Sequence, residues 1–155
     1  MARGIRDVGL LLARLGFAFA LLPHGWEKLH DIGFSGTADG FAKMGVPFPE
    51  VAAGVSIAGE FASSILLALG LLTPIAGLVA VVAMLGAVFT APKHFFTAGA
   101  AHMDQGVVNL LDTHWAGSEA FVFAVAALAL TVAGPGRFSV DKSLFGRPEW
   151  FAPRE

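Results

Sequence analysis

Two nearly charge-free runs constrain this chain more than anything else in it. Residues 51–73 carry one charge, Glu60, in 23 positions, and residues 74–91 carry none in 18. A helix of roughly 20 apolar residues crosses a hydrocarbon core, so both runs have the dimensions of membrane spans. A third run, residues 8–22, is interrupted only by Arg14 and continues through His24, Gly25 and Trp26 to residue 29. The fourth, 120–133, has 14 residues and reaches a spanning length when 115–119 form its interfacial end, a position that suits Trp115.

Composition supports lipid as the solvent. Of 155 residues, 55% are hydrophobic and 14% charged, too few polar side chains to cover a soluble core of this size. The net charge of −2 leaves no broad basic surface, which excludes nucleic acid as a partner. Cysteine is absent, so there is no disulfide, thiol nucleophile or iron–sulfur ligand, and any redox chemistry must use a bound cofactor or a partner subunit. Arg3, Arg6, the first apolar run and Ala18-Phe19-Ala20 imitate a cleavable signal peptide. Arg14 breaks that apolar region, however, and cleavage would leave three spans, so the run is expected to be a span.

The pattern predicts an all-α, four-transmembrane-helix bundle, a single membrane domain over 1–155. Its spans are 8–29, 51–72, 74–91 and 115–134, followed by a cytoplasmic tail, 135–155. Gly70 ends one helix and Pro74 opens the next, giving a tight hairpin. Long loops join helices 1 and 2 and helices 3 and 4. In the first of them Thr37 is expected to N-cap a short amphipathic helix over 38–44, stopped by Gly45-Val46-Pro47-Phe48-Pro49. With four spans, Arg3, Arg6, Arg137, Lys142, Arg147 and Arg154 share one side, against Lys28, Lys43 and Lys93 on the other. That bias puts both termini in the cytoplasm and the long loops outside. Small residues four apart (Gly54, Ala58, Ala62; Ala76, Ala80; Ala83, Ala87) predict close helix packing.

Arg14 and Glu60 lie well within spans, where an unpaired ion costs several kcal/mol. At ~1.5 Å per residue, Arg14 lies about 9 Å and His24 about 24 Å above the start of the first run, with Glu60 about 18 Å up, between them. On helical phase Lys28 falls within about 40° of both Arg14 and His24, so one face carries all three. Glu60 is expected to hydrogen-bond His24 or Arg14. Pro23 leaves the Phe19 carbonyl without its helical donor at this depth. Two readings stay open: a polar ligand site, or Arg14 snorkelling to headgroups with His24 and Lys28 at the interface and Glu60 neutral. Glu119, at the start of the fourth span, is a further candidate for the polar site. His94, His102 and His114 are metal-ligand types, but their spacing matches no compact zinc motif, and no metal is expected.

Several motifs in order resemble those of the DoxX family of small four-helix membrane proteins. Arg14-Leu15-Gly16 followed by His24-Gly25-Trp26-Glu27-Lys28-Leu29 is similar to its first-helix signature. Gly45-Val46-Pro47 is similar to its first loop, and Glu60 with an apolar run closing on Gly70-Leu71-Leu72-Thr73 to its second helix. Gly117-Ser118-Glu119 and Gly134-Pro135-Gly136-Arg137-Phe138-Ser139-Val140-Asp141 resemble the fourth helix and its exit. Ala62, Ser63 and Ser64 stand where the family often has paired glycines.

The resemblance implies a left-handed four-helix bundle in a bacterial-type plasma or inner membrane, near respiratory or redox complexes. Related Dox subunits belong to thiosulfate:quinone oxidoreductases, and DoxX-type proteins are linked to membrane assemblies with oxidant-defence enzymes. The leading expectation is a subunit embedded in the lipid bilayer that anchors protein partners of a redox complex, with no intrinsic cofactor. Its Arg14, His24, Lys28, Glu60 face would be the seat for a quinone or lipid. The alternatives are a catalytic quinone-reducing subunit, in which His24 or Glu60 moves protons, and a small-solute transporter or channel. The sequence leaves the oligomeric state open, a homo-oligomer included.

Overall fold

One glycine and one proline set where the helices of the central hairpin stop and start. Gly70 adopts a left-handed conformation (φ 66°), and the amides of Gly70 and Leu71 return to the carbonyls of Leu67 and Leu66 at 3.1 and 2.8 Å. This is a Schellman closure, which glycine adopts without Cβ strain. Pro74 then occupies the first turn of the next helix, where its missing N–H costs nothing. The computed structural model describes residues 2–90 and 116–145, and no strand occurs among them.

The first helix, α1 (Ala2–Trp26), continues past Pro23 into a π-helical turn, Glu27–Asp31, closed by the Ile32 amide on the Glu27 carbonyl at 3.0 Å. A short helix, α2 (Gly33–Lys43), follows. Here one expectation is corrected: the helix starts several residues earlier than Thr37, so Thr37 is internal and caps nothing. Its hydroxyl instead donates to the carbonyls of Gly33 and Lys28 at 2.9 and 3.3 Å. The next rod runs through α3 (Pro49–Ile57), a second π-helical turn (Ala58–Ala62) and α4 (Ser63–Leu69). The remaining helices are α5 (Thr73–Thr90), α6 (Ala116–Ala133) and the short α7 (Val140–Phe145).

Four rods supply one core. Phe17 and Leu21 come from α1, Leu67 from α4, Ala76, Ala80, Ala83 and Met84 from α5, and Ala124, Ala127 and Leu130 from α6. Alanine on facing helices lets α5 and α6 pack along their lengths, while Phe17 meets Phe123 edge to face at 5.8 Å. The expected small-residue face of the second rod is rotated. Ala62 is exposed and Gly54 and Ala58 are half-buried, while the buried face runs through Ala53, Ser56, Glu60, Ser63 and Leu67 at helical spacing on the other side of the rod.

The outer surface is apolar. Phe19 is 85% exposed, and Ile75, Leu78, Val122 and Val132 are also exposed. A surface of this kind is an interaction face for lipid or protein. Of the described helices, Pro49–Leu69 is by itself long and apolar enough to cross a membrane; Thr73–Val88 and Glu119–Ala133 are shorter apolar helices.

Candidate functional site

The two intramembrane charges singled out by the sequence sit in different places and do not meet. Arg14 is 1% exposed on α1. Its Nη1 donates to the Pro135 carbonyl at 2.5 Å and its Nη2 to the Phe138 carbonyl, so the guanidinium is held by the turn between α6 and α7. Gly70 lies directly against it, where a Cβ would strike the guanidinium and the Ser139 side chain. Asp141 completes this end: its two carboxylate oxygens accept the amides of Leu72 and Thr73 at 2.7 and 2.9 Å, and its own amide donates to the Gly70 carbonyl at 2.9 Å. A carboxylate on the first amides of α5 satisfies orphan donors and opposes the positive end of the helix. The Arg137 amide donates to Asp7 Oδ1 at 3.1 Å and ties the same turn to α1 once more.

Glu60 has another partner. The expectation that it hydrogen-bonds His24 or Arg14 is corrected, because its Oε1 takes the Lys28 ammonium in the one ion pair found among the described residues. Ser56, one helical turn before Glu60, joins them: Lys28 Nζ donates to Ser56 Oγ at 3.1 Å, and Ser56 Oγ donates to Glu60 Oε1 at 3.0 Å. Lys28 lies in the first π-turn and Glu60 in the second. Hydroxyls steady both turns, Thr37 on the Lys28 carbonyl and Ser64 on the Glu60 carbonyl at 2.5 Å. Widened turns of this type often mark functional positions in helices.

Gly25 lets the two rods come this close. A Cβ there would collide with the backbone of Glu60 and Phe61, so only glycine fits at the crossing. Beside it Trp26 stacks on His30 with centroids 4.7 Å apart and lies 5.9 Å from Phe61.

The ion pair is incomplete. Glu60 Oε2 is buried without a hydrogen-bond partner, and a buried carboxylate oxygen left so is costly. Lys28 and Ser56 line a cavity of about 290 Å³ whose other walls are apolar, from Phe41, Phe48, Val51, Val82 and Gly86 among others. Phe48 stands between two prolines in a left-handed conformation (φ 52°, ψ 59°), an uncommon state for a bulky residue.

The remaining candidates separate. His24 is exposed and outside the Lys28, Ser56, Glu60 group. Glu119 is exposed in the first turn of α6, where a carboxylate suits the helix dipole, and it joins neither cluster. His94, His102 and His114 lie outside the described residues. The sequence did not single out Ser56, Thr37 or Phe48 for this site, nor the Asp141 carboxylate for the other end. Ser56 had a signal, since it precedes Glu60 by four residues and therefore shares its helix face.

The chain is 28% identical over 137 residues to the inner membrane protein YphA of Escherichia coli (strain K12), a match spanning 88% of this chain and 91% of that protein. No solved structure matches. The DoxX family model matches residues 9–93, which hold Arg14, Gly25, Lys28, Ser56 and Glu60. More than half of the sequence lies within that match, and the chain belongs to the DoxX family.

Proposed function

We propose that this DoxX protein is a bacterial inner-membrane subunit that crosses the bilayer four times, over 8–29, 51–72, 74–91 and 115–134. Both termini are cytoplasmic, and the chain anchors protein partners of a redox assembly. Within it, Lys28 and Ser56, held from behind by Glu60, form the polar floor of a site for a quinone. The observation that carries this reading is the Lys28–Glu60 pair, which joins two π-turns and opens onto an apolar cavity through Lys28 and Ser56. Support for the setting comes from the inner-membrane relative, from the apolar outer surface and from the excess of basic residues on the side of the termini.

The residues fit a quinone. A cavity near the lower end of the usual range of about 300–1,000 Å³ accepts one ring, and its walls are apolar with a few convergent donors. The remaining N–H of Lys28 would hold a ring carbonyl, with Ser56 keeping the ammonium in place, and when bound the quinone would supply two-electron carrier chemistry to a partner. The chain's own contribution is to bind and orient the ring, so the subunit is read as non-catalytic.

The test is purification from native membrane in mild detergent, identifying the proteins and lipid quinones that accompany the chain. Quinone and an oxidoreductase together are the expected result; neither appearing overturns the reading. Orientation is tested separately in this cysteine-free chain by Asp39→Cys, which should be labelled only from outside the cell.

A further inference from the structure

We infer that the cavity beside Lys28 is a laterally open site selective for the neutral carbonyl head of a membrane amphiphile, whose tail remains in the bilayer. This rests on the four-span reading above and adds the charge state of the ligand and its route of entry.

The charge state follows from counting donors. An ammonium has three N–H groups, and Glu60 and Ser56 accept two of those of Lys28. One remains for a ligand. The positive charge of Lys28 is already matched by the Glu60 carboxylate, whose Oε2 is itself short of a donor. A second anion would bring an uncompensated charge and another acceptor into apolar walls, whereas a ketone, ester or quinone carbonyl takes the free N–H at no such cost.

The route follows from depth and exposure. Val82 stands nine residues into α5, about 13–14 Å from its start and so near the middle of the apolar run. Val82 and Val51 are both exposed and both line the cavity, and Phe48 beside them is 77% exposed. A mouth rimmed by exposed apolar side chains that runs from the outer end of the second span, at Phe48 and Val51, down to Val82 opens sideways onto the headgroup boundary and the hydrocarbon beneath it. The 290 Å³ volume holds a ring or ester head but leaves a long tail outside, which is the arrangement a side opening allows.

The experiment uses the full chain in phosphatidylcholine nanodiscs and two photoreactive probes with identical saturated tails, one headed by a methyl ketone and one by a carboxylate. Adducts are mapped by mass spectrometry on the segments holding Phe48, Val51 and Val82. The ketone probe should label them at least about tenfold more than the carboxylate, as expected when one hydrogen bond to a charged donor is gained rather than a charge buried. A tailless ketone should compete poorly. Gly86→Phe should abolish labelling, because a Cβ at Gly86 meets open space and the ring fills the cavity without touching Lys28 or Glu60. Equal or preferential labelling by the carboxylate, effective competition by the tailless ketone, or undiminished labelling of Gly86→Phe each overturns the inference. Competition by a tailed quinone identifies that source of the carbonyl. If ketone labelling stands and the quinone does not compete, the head is a lipid ester, so the inference holds while the quinone reading fails.

Discussion

Two polar clusters near opposite ends of the bundle each hold a cation of the first rod, Arg14 midway along α1 and Lys28 in the π-turn after it, and they treat it in opposite ways. Arg14 is buried and fixed by backbone carbonyls of the α6–α7 turn, with the Asp141 carboxylate spent on the first amides of α5. Lys28, roughly 21 Å further along at ~1.5 Å per residue, pairs with a carboxylate on a neighbouring rod. Its side chain remains 27% exposed to a cavity, and Glu60 keeps an oxygen without a donor. A charge enclosed by backbone acceptors holds a fold together. Arg14 Nε is likewise buried without a partner, so what sets the Lys28 group apart is its place at the edge of an apolar cavity, where it can meet something else.

The strongest challenge to that contrast is Arg14→Ala. It removes two charge-assisted hydrogen bonds and leaves their carbonyls buried, so a loss of about 3–5 kcal/mol is expected in thermal or denaturant unfolding. An unfolding midpoint close to that of the native chain would end the claim that this end is structural. Next in size is Gly25→Ala, whose methyl meets the Glu60–Phe61 backbone and forces the rods apart at a cost of about 1–3 kcal/mol. It should also lower quinone content; stability lost with quinone retained would separate the crossing from the site.

Glu60→Gln sharpens the comparison from the other side. Lys28 can turn its charge toward the cavity and solvent, so only about 1–2 kcal/mol should be lost, while ligand content and partner activity fall. If this variant unfolds as readily as Arg14→Ala, the two ends are alike and both are structural. The smallest effect is expected of Asp141→Asn, about 1 kcal/mol, because the amide keeps one acceptor for Leu72 or Thr73. Combined with Gly25→Ala it should add within about 0.5 kcal/mol, since the two sites share no partner, and a measured coupling larger than that would tie the ends together.

Much of the helical layout is legible in the sequence. Apolar runs locate α5 and α6 to within a residue or two, and Gly70 with Pro74 locates the hairpin. The site is less so, and the reasons are specific. Phase counted at 3.6 residues per turn put Arg14, His24 and Lys28 on one face; the buried series Arg14, Phe17, Leu21, Gly25 does lead to half-buried Lys28, but His24 falls at the edge of that face and is exposed, and the π-turn adds a residue just beyond it. Nothing local to Glu27–Asp31 announces that extra residue, since it is stabilised by Thr37 from α2 and by the approach of the second rod at Gly25. Arg14 likewise finds acceptors 121 and 124 residues away, which no periodicity within α1 contains.

That separation has a consequence for biosynthesis. The acceptors of Arg14 are translated 121 and 124 residues after it, so with synthesis at about 5–20 residues per second the first helix waits roughly 6–24 s for the Pro135 carbonyl. During that interval the guanidinium is an unmatched ion that favours water over apolar surroundings. Only when the Gly134–Asp141 stretch is made does a carbonyl cradle exist for it to leave water. The later-made Gly134–Asp141 stretch thereby fixes the seating of α1, and a ribosome that stopped short of it would release a protein in which that helix had never been given its place.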